Sequence, residues 1–370
     1  MIRSRWVKSE LKALKVDSAT GPDLVPARIL KACALALYAP LASLIRKMIA
    51  NSSWPDAWRK HWLFPIFKKG ATTNVGNYRG IHLTSILSKV CERVLLRSLR
   101  PFFEQVDAFG VSQFAFRKGR SCQDLLLKLT CTWLLAFQEK RKVGLYLSDI
   151  SGAFDKVSVT VLLRYLRRSG ISETLLNFFV DYLAPRSANV VVNGSQSDDL
   201  QLSDMVLQGT VLGPSLWNIF FKDVQRVADQ CEAKEAKFAD DLTMFKLFDT
   251  SVPSNEILSE MHMCQLQTHR WGSQHQVSFD AGKEEFAVLH HVYGDGPSFR
   301  LLGPVFDVKL CMHDAVDKLV RKARPKIHAI LKSRRYYSEK NMVIQFKTHV
   351  LSLLESSGPY TTQPIPSWSL

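Results

Sequence analysis

The chain reads as an α+β protein, and three observations lead there. Apolar residues recur at helical spacing through residues 1–60, and again with a basic face after residue 311. Between these stretches lie short strand-prone runs bounded by Gly, Pro, Asn and Asp, several of which close as hairpins. The most informative is Lys237-Phe-Ala-Asp-Asp-Leu-Thr-Met-Phe245, where two apolar triplets flank Asp240 and Asp241. That pattern is strand, acidic turn, strand. At ~4 Å two like charges repel by about 4 kcal/mol at an effective dielectric near 20, so a tight turn on adjacent carboxylates asks for a cation. Hard divalent ions such as Mg²⁺ choose such oxygens. A plain acidic surface turn is the alternative that the pair alone leaves open.

A chain of 370 residues suffices for two or three subdomains with a sizeable core. The net charge of +15, from 49 Lys and Arg against 34 Asp and Glu, suits a polyanionic partner such as nucleic acid. On charge alone a membrane surface would serve as well. No apolar run approaches a bilayer span, and the first thirty residues are too polar for a secretion signal. Seven scattered cysteines without a C-x-x-C fit reduced thiols, so the expectation is a nuclear or cytoplasmic protein with no zinc module.

In chain order, Gly21-Pro22-Asp23 marks a turn, and Val25, Ile29, Leu30, Cys33 and Leu37 then share a helical face. Pro40 is expected to start a second helical stripe through Leu41, Leu44, Ile45 and Met48, ended by Trp54-Pro55. Residues 62–67 and 77–84 are extended segments that bracket Lys68, Lys69 and Arg79. They suggest a basic hairpin fit to grip phosphate, with Arg79 offering its planar fork. An amphipathic helix through Ile86, Val90, Val94 and Leu95 follows. Residues 112–120 interleave Phe114 and Phe116 with Arg117, Lys118 and Arg120, a composition suited to stacking on bases and gripping a backbone. The helix from Gln123 to Phe137 reads as core.

Gly144 to Asp149 is a buried-strand pattern that ends in a carboxylate, a typical place for a metal ligand. Asp155, near the start of the next helix, reads as structural. That helix has Ser158 for an N-cap and Gly170 for a stop. Asn189 to Gly194 reaches an Asn-Gly turn, with residues 200–202 as the expected hairpin partner. Gly209 and Gly213 let backbone approach a flat ligand, and Pro214 suits a first helical turn. Beyond the acidic hairpin come a helix from about Ser254, the turn Asp280 to Lys283, a strand to Leu289 and a short hairpin over 299–307. The helical stretch from Cys311 carries Arg321, Lys322 and Arg324, and Pro325 is expected to break or kink it. Residues from Ser357 read as a frayed tail.

If the strand ending at Asp149 and the acidic hairpin are neighbours in one sheet, three carboxylates face one pocket. Two divalent ions ~3.5–4 Å apart there would clamp the attacking and leaving oxygens of a phosphoryl displacement. With the glycine-bearing segment and the cationic loops, this points to polynucleotide synthesis.

At these residues the sequence resembles the reverse transcriptases of non-LTR (LINE-type) retrotransposons, over nearly the whole chain. Residues 62–70 and 77–84 resemble the family's first motifs, and residues 113–123 the basic block after them. Ser148-Asp-Ile-Ser-Gly-Ala-Phe-Asp155 is similar to its motif A, Leu207 to Asn218 to motif B and Phe238-Ala-Asp-Asp241 to motif C. Residues 271–285 and 299–307 follow in the places of D and E, and the helices around Gly21-Pro22-Asp23 resemble an extra N-terminal block.

The resemblance implies a right-hand polymerase, with an N-terminal helical extension (1–60), fingers (61–143), a palm with an antiparallel sheet (144–310), partial thumb helices (311–356) and a tail (357–370). It implies Asp149, Asp240 and Asp241 as ligands of two Mg²⁺ ions, with Mn²⁺ as a substitute, and a carbonyl from Ile150. Phe154 becomes a gate against the ribose 2′-hydroxyl, and Gln208 and Gly209 line the nucleotide pocket. Lys68 and Arg79 hold the triphosphate, and Lys283 serves the departing pyrophosphate. Residues 299–307 grip the primer end. Arg117, Lys118, Arg120, Arg321, Lys322 and Arg324 grip nucleic acid. The implied partners are an RNA template, a DNA primer and deoxynucleoside triphosphates, with no membrane.

Three residues depart from the pattern: Gly80 stands where the family has Pro, and Thr210 and Gly213 replace common Ser residues. The expectation from these residues is a chain with neither an endonuclease-type domain before residue 1 nor a Cys/His knuckle after the basic helices. Target cleavage is therefore not expected here, and the chain as a fragment of a longer element protein stays open. Rival readings are a group II intron-type maturase, a decayed RNA-binding relative without activity, and another palm-type enzyme such as a cyclic-nucleotide synthase. Oligomeric state is not readable.

Overall fold

The computed structural model describes residues 2–355, so the expected tail from Ser357 lies outside the described residues. In chain order the strands are β1 (Lys60–Phe67), β2 (Tyr78–Leu83), β3 (Arg141–Ser151), β4 (Arg186–Val192), β5 (Ser195–Gln196), β6 (Leu200–Leu202), β7 (Lys234–Phe238), β8 (Asp241–Asp249), β9 (Ser278–Phe279), β10 (Glu285–Leu289), β11 (Phe299–Arg300) and β12 (Val305–Phe306). Two compact units share the chain by turns. The first takes the described residues to Val111, then Gly152–Asp223 and Gly272–Ser278; the second takes Ser112–Ser151, Val224–Trp271 and the described residues from Phe279.

In the first unit, β1 and β2 form the expected hairpin, with Ile66 opposite Arg79 and Phe67 opposite Tyr78. β1 also pairs in parallel with β4. The Asn193-Gly194 turn holds both residues at positive φ, 50° and 83°, which matches the right-handed twist of the flanking strands. It delivers the chain first to β5, and the expected partner β6 joins β4 further along. Helices Ser4–Lys12, Ala34–Ala50 and Ile86–Gln105 bury Val7, Leu11, Ile45, Val90 and Val94.

Proline departs from expectation at position 40. Pro40 lies inside Ala34–Ala50 instead of starting a helix, and the break falls at Cys33. The run Ala-Leu-Ala-Leu ahead of it is a strong helix former, and a proline there removes one hydrogen bond from a helix already nucleated. Pro325 lies within His313–Lys332, which runs on through it, so of the expected break or kink the break is absent.

The second unit centres on the antiparallel sheet β10-β3-β8-β7. Side chains alternate along β3. Val143, Leu145 and Leu147 join a core with Leu125, Leu129 and Trp133 of helix Cys122–Gln138. Trp133 meets Phe245, Phe299 and Phe306 edge-on, which brings the β11–β12 hairpin into the same core. The other face of β3 lies under helix Ser254–Gln274. A Cβ at Gly144 would come within 2.7 Å of the Ile257 Cγ2 and 2.8 Å of the Phe248 ring. Gly144→Ala should therefore overpack this face and cost about 1–3 kcal/mol, seen as a lower midpoint in denaturant. An unchanged midpoint would show that the helix seats less closely than the distances say.

Candidate active site

β3 runs from a dry centre to a wet end, and the side chains change accordingly. Leu147 is buried and Asp149, on the same face, is half-buried. Asp149 stands directly opposite Asp241 in the β3–β8 register. Residues paired this way point to one side, with Cβ atoms roughly 4.5–5.5 Å apart. Phe238 pairs with Asp241, so Ala239 and Asp240 alone make the turn between β7 and β8. Ala239 takes φ +59°, where a residue with a Cβ costs roughly 1–2 kcal/mol. The strand end and the hairpin turn are thus neighbours in one sheet, as the three-acid pocket requires.

The charges interact. Burial, then Asp149, then Asp240 push the Asp241 carboxyl up to about 7, against an opposing pull from Lys283. The Lys283 Nζ lies 2.5 Å from Asp149 Oδ2 and 3.2 Å from Asp280 Oδ2, and its hydrogen bond to Asp149 holds its own value above the ordinary lysine range. Asp280 donates its backbone N–H to the Asp149 carbonyl at 2.9 Å.

The neighbouring Glu284 carboxylate accepts hydrogen bonds from Tyr146 Oη at 2.6 Å, Ser148 Oγ at 3.2 Å and Gln265 Nε2, and pairs with His269 Nε2 at 2.7 Å. Glu284 thereby pins the segment that carries Lys283. Sequence reasoning passed over it, and its only signal was a Glu entering an apolar strand.

Among the described residues, no three His, Cys, Asp or Glu side chains stand in a metal-holding arrangement. The Lys283 ammonium occupies the Asp149 carboxylate instead. The donor chemistry still fits a hard divalent ion. The donors are all carboxylates, they crowd one strand end, and their mutual repulsion exceeds what a lysine offsets.

The remaining nucleotide-side candidates sit in the first unit. Lys68 and Lys69 are exposed at the tip of the β1–β2 hairpin and Arg79 is exposed on β2. Lys68 lies near enough to Asp155 for its charge to act on that carboxyl. The half-buried Phe154 lies against Trp217, ring centroids 5.6 Å apart, and its carbonyl accepts from the Val206 N–H. Gly209 takes φ +95°, and a Cβ there would come 2.8 Å from the His82 carbonyl oxygen; Gln208 beside it is half-buried. The carboxylate of Glu92, wholly buried in helix Ile86–Gln105, accepts the N–H groups of Val211 and Leu212 and holds the following helix start. That residue too went unnoticed, although a lone acid in the run Val-Cys-Glu-Arg-Val-Leu-Leu was a visible anomaly.

In the second unit, Ile150 is buried on β3. Phe114 belongs to the core, which corrects its reading as a stacking platform; the ring carries Arg120 at 5.1 Å on its face. Phe116 remains exposed. Arg117 is half-buried and Lys118 exposed, and Arg321, Lys322 and Arg324 are exposed on helix His313–Lys332.

Residues 66–303 match the family described as reverse transcriptase (RNA-dependent DNA polymerase), and the chain belongs to that family. The match bears out the right-hand polymerase fold class, and together with the mobile-element relatives that follow it bears out the resemblance to non-LTR reverse transcriptases. The chain is 27% identical to the RNA-directed DNA polymerase from mobile element jockey of Drosophila melanogaster, over 80% of this chain and 33% of that protein. It is 28% identical to the probable RNA-directed DNA polymerase from transposon BS of the same fly, over 66% of this chain and 27% of that protein. This chain therefore spans a third or less of the length of these relatives. Among solved structures it is similar to apo telomerase from Candida tropicalis truncated from the C-terminal domain, with TM-score 0.49 and 10% identity over 74% of this chain and 59% of that one.

The Asp241 value gives a stability test. A carboxyl held above its ordinary range adds stability while protonated and loses it as pH rises through about 7. In a chelator at pH 8, Asp241→Asn should therefore melt a few degrees higher than the parent, for a gain of ~1 kcal/mol. At pH 5 the folded carboxyl is protonated but the unfolded one is not, so the gain should shrink, and it should vanish only below the ordinary value of 3.8. A lower melting point at pH 8 would mean that Asp241 is net stabilised by its neighbours.

Proposed function

We propose that the chain is the polymerase portion of a non-LTR retrotransposon protein, adding deoxynucleotides to a primer 3′ end on an RNA template. The observation that carries this is the pairing of Asp149 with Asp241 at the open end of β3, in a chain of the reverse transcriptase family. Divalent metal dependence is general in that family. Two Mg²⁺ ions held by Asp149, Asp240 and Asp241 would supply charge for the attacking hydroxyl and the leaving pyrophosphate.

The chain's own residues do the rest. The three carboxylates present the oxygens that would hold the ions, and Ile150 offers its backbone carbonyl beside Asp149. Lys283, in reach of Asp149, stabilises or protonates the departing pyrophosphate, since charge there helps most as the bond breaks. Lys68 and Arg79 hold the triphosphate. Gln208 and Gly209 line the nucleotide's resting place, with the positive φ of Gly209 allowing backbone to come close.

Residues 61–143 act as fingers, 144–310 as palm and 311–356 as thumb, preceded by a helical extension over residues 1–60. Arg117, Lys118, Arg120, Arg321, Lys322 and Arg324 neutralise template and primer phosphates. No helix among the described residues is long and apolar enough to cross a membrane. We assign the protein to the nucleus or cytoplasm, where its nucleic-acid partners are. The relatives carry the names of mobile elements, which does not favour the intron-maturase alternative.

Extension of a DNA primer on an RNA template with purified protein and Mg²⁺ tests the reading. Asp240→Asn and Asp241→Asn should each lower extension by about a hundredfold or more while leaving the fold intact, because each removes charge from the metal site at constant volume. Near-parental activity in both variants would sink the assignment, and an inactive parent would support a decayed relative.

Sugar choice tests Phe154. An unpaired buried hydroxyl costs ~1–3 kcal/mol, one to two decades of discrimination before any clash. Phe154→Val should keep DNA synthesis and raise ribonucleotide incorporation by roughly that factor. Equal loss of both sugars would make Phe154 a packing residue against Trp217.

A further inference from the structure

We propose that Gln113 is a positioning residue for the acidic turn, its side-chain amide clamping the backbone of Ala239 and so setting Asp240 and Asp241. The inference rests on the reading of those acids as the catalytic centre. Ala239 occupies the first position of a two-residue hairpin turn with φ +59°, a conformation that such turns usually assign to glycine. An alanine kept there needs a specific partner, and one side chain supplies it on both sides. Gln113 Nε2 donates to the Ala239 carbonyl at 3.1 Å, and the Ala239 N–H donates to Gln113 Oε1 at 3.0 Å. The same oxygen accepts the Ala115 N–H at 3.0 Å, which fixes the amide's orientation.

The clamp is built into its surroundings. Gln113 is 1% exposed, so its amide exchanges little with water. Lys237 N–H donates to the Ser112 carbonyl at 2.9 Å and Phe114 N–H to the Lys237 carbonyl at 3.0 Å, which joins the segment to β7 just ahead of the turn. Lys237, wholly buried, pairs with Glu235 at 2.8 Å, and Glu235 accepts from Ser112 Oγ at 2.5 Å. Arg120 donates to the Gln113 carbonyl at 2.9 Å. One residue therefore ties the cationic loop 117–120 to the turn that bears the acids. Packing alone would be served by any side chain of this length; only an amide offers both an acceptor to the Ala239 N–H and a donor to the Ala239 carbonyl.

The test compares Gln113→Met, which keeps length without either polar group, with Gln113→Glu, which keeps the acceptor. Single-nucleotide incorporation, its Mg²⁺ half-saturation and template–primer affinity are measured in each. In both variants incorporation should fall by about 10–100-fold and the Mg²⁺ requirement rise severalfold, as for other residues that orient metal ligands, with nucleic-acid affinity within about twofold. Ala239→Gly makes the turn conformation free of strain, so Gln113→Met should cost several times less in that background.

Parental rate and Mg²⁺ half-saturation in Gln113→Met would overturn the proposal. So would an equal loss in the glycine background, which would report core packing. If Gln113→Met fails to fold, Gln113→Glu with and without Ala239→Gly decides on the same criteria. A parent protein that neither extends primer nor binds Mn²⁺ would overturn the functional reading and this inference together, whereas failure of the variants' predicted losses in an active parent overturns the inference alone.

Discussion

The register of two antiparallel strands constrains everything at the candidate centre. Once β3 and β8 pair so that their apolar faces enter one core, Asp149 and Asp241 have no choice but to face each other. A shift by one residue would separate the acids, but it would also turn Val143, Leu145 and Leu147 out of the core. Hydrophobic burial thus holds like charges together that electrostatics would part. The folding free energy of the dry part of the sheet is spent at its wet end, where the raised Asp241 carboxyl and the Lys283 ion pair record the strain.

The departures from the family's motifs become intelligible in the first unit. Thr210 Oγ1 donates to the Leu207 carbonyl at 2.8 Å and accepts from the Gly213 N–H at 3.2 Å. A Cβ at Gly213 would lie 2.7 Å from that same oxygen, so the threonine and the glycine suit each other and a serine at 213 would not fit beside Thr210. Gly80 stands opposite Pro65, and the space over it is taken by the end of the Leu63 side chain. These are local exchanges within one loop and one hairpin, at a distance in sequence from the acids.

Much of this was legible in residues because it depends on pattern. Alternation along 144–149, the acidic pair between apolar triplets, the Asn-Gly turn and the capped helices are all short-range signals, and the strands and turns they announced are present. What escaped depends on long-range proximity. Glu92, Gln113 and Glu284 are polar residues whose partners lie 120, 126 and 138 positions away in their longest bonds, and no local spacing announces them. Phe114 was misjudged because aromatics among cations look alike whether they stack on a base or support an arginine. Pro40 escaped because a helix with strong formers on either side can carry a proline through.

The interleaving of the two units has a consequence for biosynthesis. The central strand β3 leaves the ribosome well before its neighbour β8, and its other neighbour β10 comes later still, after stretches that belong to the first unit. No contiguous cut yields either unit whole. A nascent chain must therefore hold an aliphatic strand, Val-Gly-Leu-Tyr-Leu, open on both edges until about ninety further residues have emerged and β8 arrives. Long-range pairing of this kind is slow and leaves unpaired strand edges exposed to other chains. Synthesis is thus the stage at which the strand edges of this fold are most exposed, and a chain stopped before β8 leaves β3 without that partner.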